Sequence, residues 1–319
     1  MDAYLAVDLG GTAVRAGWWE GGSFAESVSQ PTNTRHGASG ILEQITALAH
    51  GPGRPSFDRC VIATAGTLNP KTGTVLRSAN LPFEDTPLRL EMANRLKVPV
   101  AVVGDAVAAT LGEFCAGAGK TASDGVYMTV STGVGCGIVT RGALISGSWQ
   151  QAGELGHVPV DLSPAALPCA CGQRGCLELY ASGAGIAARY AAATGRTAKG
   201  GARDVIAAAE RDDAAAAAVV SRATTLMAAA IGGAIRLFSP EVLVLGGGLT
   251  RSQLIVDQVR QGVDRLLNVS VPGAVNRVKL AQCQPTSALT GAALLAAGAP
   301  RAHAMVAESR FAGQLEGWL

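Results

Sequence analysis

Three cysteines and a histidine give the clearest chemical signal in the chain. Cys169, Cys171 and Cys176 lie within eight residues, and His157 precedes them. Thiolates and an imidazole are soft and borderline ligands, and four of them complete the tetrahedron of a structural zinc ion. Gly172 and Gly175 allow the tight chain reversal such a loop needs. Three unrelated buried cysteines would explain the spacing less well. The segment shows little regular pattern, so the metal is expected to supply its order. Cys60, Cys115, Cys136 and Cys283 read as small core or loop residues.

Glycine signals a second chemistry. Asp8-Leu9-Gly10-Gly11-Thr12, followed by Arg15, lies between two apolar strands. Ser131-Thr132-Gly133-Val134-Gly135-Cys136-Gly137 has the same setting. Amides and hydroxyls at such turns donate to phosphate oxygens, and glycine lets the backbone come close. Asp8 can hold Mg²⁺ there, directly or through water. Either turn alone could be an ordinary hairpin, but two in one chain favour nucleotide binding. A third run, Gly246-Gly247-Gly248, follows an apolar strand. It offers a nucleoside a flat backbone surface, or it merely joins strand to helix. Gly117-Ala118-Gly119-Lys120-Thr121 is not a P-loop, because the first glycine of that motif would fall at Phe114.

Asp105 stands between an apolar strand and a helix, where α/β sheets place ligands. It can take the proton of an attacking hydroxyl, or simply cap the helix. Glu154 and Glu178 flank the cysteine loop. Carboxylates and an imidazole suit sugar hydroxyls, although exposed loop glutamates would look the same.

The elements that position these groups follow from periodicity and breakers. Strands are expected at 4–7, 13–19, 60–63, 99–103, 126–130, 138–140 and 241–245. Helices are expected at 38–50, 86–97, about 106–117, 184–194, 202–210, 213–238 and 287–298. Thr86 should cap the second, with Pro87 at its first position, and a helix should begin near Thr250. Residues 141–182 read as irregular. The repeated strand, glycine turn and strand predicts a duplicated α/β fold with one phosphate turn in each half. At 319 residues, 48% apolar and 16% charged, the chain can bury two cores and is not disordered. A net charge of +2 without basic runs argues against a nucleic-acid or membrane partner. The N-terminus lacks the features of a signal peptide. An odd number of cysteines argues against a disulfide framework. The expected setting is therefore the cytoplasm.

These motifs occur together in one order, and the chain resembles the ROK family of repressors and sugar kinases. The residues carrying the resemblance are DLGGTAVR (8–15), GDA (104–106), STGVGCG (131–137), AGELGH (152–157), CACGQRGCLE (169–178) and LGGG (245–248). The resemblance implies the actin-like ATPase (ribonuclease H-like) duplicated fold, with two lobes and a cleft between them. An N-terminal lobe would span 1–118 and be closed by a C-terminal helix at 287–319. A C-terminal lobe would span 119–286 and carry the zinc loop at 157–176. The resemblance implies ATP-dependent phosphorylation of a hexose at its 6-hydroxyl, with Asp105 as general base. Asn80, Glu154, His157, Glu178 and Gly66 would meet the sugar, one imidazole nitrogen serving zinc and the other a hydroxyl. Asp8, Gly10, Gly11, Thr12, Arg15, Ser131, Thr132, Gly133, Gly135 and Gly137 would hold the phosphates of ATP and its Mg²⁺. Gly246, Gly247 and Gly248 would lie near the nucleoside. The family also implies a homodimer.

N-acetylmannosamine is an alternative substrate, because VYMTVSTGVG and SGAGIAA look similar to bacterial N-acetylmannosamine kinases, and N-acetylglucosamine is another. The family usually has Asn where this chain has Gly104. A non-catalytic sugar sensor related to the family's repressors is a further alternative. The seven residues before Asp8 leave no room for the DNA-binding domain those repressors carry.

Overall fold

The computed structural model of the chain describes residues 3–148, 151–309 and 311–318. The chain forms two compact units. Met1–Lys120, Gly142–Ser146 and Thr286–Leu319 make the first; Thr121–Arg141 and Gly147–Pro285 make the second.

The first unit opens with a hairpin of β1 (Tyr4–Leu9) and β2 (Ala13–Glu20), flanked by β3 (Ser23–Pro31). Helix α1 (Gly37–Ala49) leads to β4 (Arg59–Thr64). A small meander of β5 (Thr67–Asn69), β6 (Thr74–Arg77) and β7 (Glu84–Thr86) precedes α2 (Leu88–Leu96). Then come β8 (Val100–Gly104) and α3 (Asp105–Cys115). The main sheet has the order β3-β2-β1-β4-β8, with β1, β4 and β8 parallel. Those three strands are buried along nearly their whole length, which explains their unbroken apolar runs. Thr86 belongs to β7, and Pro87 rather than Thr86 takes the cap of α2.

The second unit repeats the plan. β9 (Gly125–Val130) and β10 (Val134–Thr140) form an antiparallel hairpin. The short strand β11 (Ala143–Leu144) lies in the segment grouped with the first unit. A 3₁₀ turn at Leu155–His157 and helix α4 (Glu178–Ala181) give partial structure to a region expected to be irregular. Helices α5 (Gly183–Thr194), α6 (Ala202–Ala209) and α7 (Ala214–Phe238) lead into β12 (Val242–Gly246). A 3₁₀ turn at Gly248–Arg251 precedes α8 (Gln253–Leu267) and β13 (Val278–Leu280). β9, β12 and β13 are parallel, matching β1, β4 and β8. Among the described residues, α7 alone has the length and hydropathy to cross a membrane. Its buried Ala216, Val220, Ala223, Met227, Ile231 and Ala234 recur every three or four positions, so one face is turned to the core.

The chain then returns to the first unit through α9 (Ser287–Ala296) and α10 (Pro300–Val306). Residues 287–319 are therefore not one helix. Gly298 takes φ +68°, which ends α9, and Pro300 starts the next. Near the C-terminus Gln314 is buried beside the edge strand β8. Its side chain accepts from Val102 N at 3.0 Å and donates to Val102 O at 3.1 Å.

Helices α3 and α9 meet backbone to backbone. A methyl on Gly291 would lie 1.8 Å from Ala108 O, and one on Gly112 would lie 2.2 Å from Ser287 O. Gly233 in α7 has nothing within 4 Å of the same position. Gly291→Ala should therefore cost about 3 kcal/mol through overpacking. Gly233→Ala should instead be neutral or stabilise by about 0.5–1 kcal/mol. Thermal and urea denaturation of the two variants beside wild type checks the contrast, and equal effects would contradict it.

Candidate phosphate turns and metal centre

The first unit gathers its candidate residues at the C-terminal ends of three parallel strands. The register sets Leu9 beside Thr64 and Thr64 beside Gly104. The turn Gly10–Thr12, the Thr64–Gly66 segment and Asp105 therefore share one sheet edge. The turn is three residues long and is closed by Gly10 N donating to Ala13 O at 3.0 Å. Thr32 pins it from β3's end: its hydroxyl donates to Gly10 O at 2.6 Å, and its amide donates to Thr12 O at 3.2 Å. Gly11 packs on Asn80, where a methyl would lie 2.6 Å from Asn80 O. Gly66, at φ +131°, lies against Arg77 O. Asn80, Gly66 and the turn are thus brought together by the meander.

Asp8 and Arg15 face each other across the hairpin and form an ion pair at 2.8 Å. Burial raises the Asp8 pKa, and the Arg15 charge and hydrogen bond oppose the rise. Arg15 is thus turned to Asp8 here. Asp105 is the first residue of α3, with Gly104 as the cap. Its carboxylate accepts the neighbouring Ala106 amide at 2.8 Å. Gly104 at the cap position has no side chain to offer, and the Asp105 carboxylate meets a first-turn amide from one position further in.

The second unit has the matching edge. Its turn is Ser131–Gly133, again three residues between strands. Gly135 and Gly137 are not in the turn; they are paired within β10, opposite Thr129 and Tyr127. Ser131 N donates to Gly133 O at 2.9 Å. Val134 N donates to Glu178 Oε2 at 2.8 Å. Gly246 pairs with Thr129, and Gly247 (φ +93°) lies on Val130, where a methyl would be 2.3 Å from Val130 O. The second and third glycine turns therefore adjoin. Gly247 N is already donated to Gln284 Oε1 at 3.0 Å, and Gln284 also bonds the Thr250 hydroxyl.

The four candidate metal ligands converge as the spacing requires. His157, Cys169, Cys171 and Cys176 place their ligand atoms within 4.8 Å of one another. Cys169 Sγ is 3.6 Å from His157 Nδ1, and Cys171 Sγ is 3.6 Å from Cys176 Sγ. A tetrahedron with bonds near 2.3 Å has edges of about 3.8 Å, so the set fits zinc. Burial first, then hydrogen bonds and charge from the neighbouring thiols, push the Cys176 thiol up to about 12. A divalent cation would relieve that crowding. His157 Nε2 is left on the far side of the ring, 3.9 Å from Glu154 Oε2.

The loop also has a frame of its own, contrary to expectation. Pro159 and Cys176, and Pro168 and Arg174, form short antiparallel bridges. Tyr180 donates to Asp161 at 2.9 Å and accepts from Leu167 N at 3.3 Å. Gly175 at φ +73° lies so close to Asp161 O that a methyl would sit 1.9 Å away. Thr32, Tyr180 and Gln284 escaped the sequence reading. Each is a single side chain far along the chain from what it holds, and no local spacing marks it. The rejected Gly117–Thr121 motif spends its donors internally: Gly117 N and Gly119 N bond Glu113 O, and Ala118 N bonds the Glu113 carboxylate.

Comparison with known proteins agrees with this layout. A glucokinase of Streptomyces coelicolor is 32% identical over 93% of this chain and 98% of its own. A glucokinase of Halalkalibacterium halodurans is 35% identical, the match covering 58% of each chain. An N-acetylmannosamine kinase of Haemophilus influenzae is 34% identical over 58% of this chain and 61% of its own. The crystal structure of a ROK family glucokinase from Streptomyces griseus, in complex with glucose and AMPPNP, superposes with a TM-score of 0.79. It is 30% identical and covers 92% of this chain and 99% of that one. The two units thus have the α/β, actin-like ATPase fold of those kinases. The ROK family pattern matches residues 4–299, and the chain belongs to the ROK family.

Proposed function

We propose that this protein is an ATP-dependent hexose kinase that phosphorylates the sugar's 6-hydroxyl. The observation that carries this reading is the doubled sheet edge. Each unit ends its parallel strands in a three-residue hydroxyl and glycine turn, and one edge also bears Asp105. Two phosphate-type turns and a carboxylate are the parts a phosphoryl transfer between oxygens needs.

In this reading the first unit supplies the base. Asp105 accepts the hydroxyl proton as the sugar oxygen bonds the γ-phosphorus and the bond to ADP breaks. Gly10, Gly11, Thr12, Arg15, Ser131, Thr132 and Gly133 hold phosphate oxygens, with Gly135 and Gly137 supporting the second turn from β10. Mg²⁺, when bound, would neutralise phosphate charge, with Asp8 as its protein carboxylate. Gly246, Gly247 and Gly248 line the nucleoside. Asn80, Gly66, Glu154, His157 and Glu178 bind sugar hydroxyls, His157 through Nε2. His157, Cys169, Cys171 and Cys176 would hold zinc, which when bound would fix the imidazole that Glu154 and the sugar share. None of the seven cysteines is joined in a disulfide, which suits a reducing cytosol. A homodimer is the family's expectation.

Gly104 favours a second reading of the substrate. Its backbone is ordinary (φ −65°, ψ 145°), and a methyl there would come no closer than 3.7 Å to anything. No constraint of the backbone demands glycine, so the missing side chain leaves open space next to Asp105. The donor that the family's usual Asn would offer a sugar hydroxyl is also missing, which suits a hexose other than glucose, such as N-acetylmannosamine.

Three measurements test these assignments. Asp105→Asn should lower kcat by roughly 10²–10⁴-fold with folding intact, as loss of a general base does. Near wild-type turnover would remove Asp105 from the mechanism. Metal analysis should find about one zinc per chain, and its removal should abolish sugar binding in calorimetry; a metal-free protein that binds sugar normally would refute the brace. Gly104→Asn should raise kcat/KM for glucose relative to N-acetylmannosamine by about fivefold, the worth of one neutral hydrogen bond. An unchanged ratio over a sugar panel would leave Gly104 without a part in selectivity.

A further inference from the structure

We infer that Glu178 is a positioning residue for the turn Ser131–Gly133, and that the metal loop thereby shapes the nucleotide site. The inference rests on reading that turn as a phosphate site. Glu178 opens α4 directly after the stretch that carries Cys176, so the loop sets where its backbone lies. From there its Oε2 accepts the Val134 amide at 2.8 Å. The absent side chain at Gly133 makes room, since a methyl would lie 2.6 Å from that oxygen. A charged acceptor on an amide is roughly twice as strong as a neutral one. The other Glu178 oxygen has no partner among the described residues and stays available to a sugar hydroxyl.

The same stretch of chain touches the turn at three more points. Gly156, next to His157, lies on Val134 so closely that a methyl would be 2.5 Å from Val134 O. Beyond α4, Gly183 N donates to Ser131 O at 2.7 Å and Ala184 N to Thr132 O at 3.4 Å. Against these, the turn has the one internal bond from Ser131 N to Gly133 O. Its shape is imposed from outside, by residues on both sides of the metal ligands. Ordering the loop and shaping the turn are one event, and sugar-side and phosphate-side groups meet on one carboxylate.

The test is MgADP binding by calorimetry on the full-length protein with no sugar present. Glu178→Ala should weaken MgADP by about tenfold or more, as loss of a charge-assisted bond does. Glu178→Gln keeps a carbonyl acceptor for Val134 N and should stay within about threefold of wild type. Stripping the metal from wild type with a chelator should also weaken MgADP and speed amide exchange across residues 131–137. Glu178→Ala binding MgADP like wild type would overturn the inference. Should that variant fail to fold by circular dichroism, the stripped wild type decides: unchanged affinity and exchange overturn it. A wild-type protein that does not bind MgADP refutes the kinase reading itself, and this inference with it.

Discussion

The backbone ladder joining β1, β4 and β8 is the constraint on which the first unit's site depends. Parallel pairing aligns Leu9, Thr64 and Gly104 at one height. Whatever follows those three residues must emerge at the same edge. A turn, a bend at Gly66 and the start of α3 therefore become neighbours without any contact specific to them. A register slip of one residue would turn every side chain of the strand to the opposite face. The backbone contact of α3 with α9 then sets the helix that starts with Asp105, since Gly291 leaves nothing between them to yield.

The second unit reaches the same geometry by another route. Its ladder again aligns strand ends, but its turn is held by groups from outside the hairpin. Where Thr32 fixes the first turn through one hydroxyl and one amide, the second turn takes its bonds from Glu178, Gly183 and Ala184. The duplicated architecture has thus diverged in how each turn is kept in shape. One relies on the residue that follows a neighbouring strand, the other on residues flanking the cysteine cluster.

Much of this was legible in the residues because the signals were short-range. The Cys169, Cys171 and Cys176 spacing marked a metal loop, and each glycine turn sat between two readable strands. Asp105 could be placed at a strand's end from the apolar run before it. What escaped was of two kinds. Gly135 and Gly137 looked like turn residues because glycine suggests freedom, yet both lie in a strand ladder. Thr32, Tyr180 and Gln284 act across long sequence separations, which periodicity does not register. The meander at β5–β7 was missed because its strands are three or four residues long. The break of the C-terminal segment at Gly298 and Pro300 was legible in those residues, since the helix expected at 287–298 stops there; only the single helix at 287–319 that the resemblance implied overran it.

Gln314 carries a consequence for how the chain comes to be made. Its amide satisfies both the donor and the acceptor of Val102, so it stands where another strand would otherwise pair with β8. During synthesis β8 leaves the ribosome long before residue 314 does. Until residue 314 arrives, the sheet carries an open edge able to recruit a second nascent chain. Gln314 therefore acts as a late closure against misassembly, since an unpaired sheet edge is prone to aggregation.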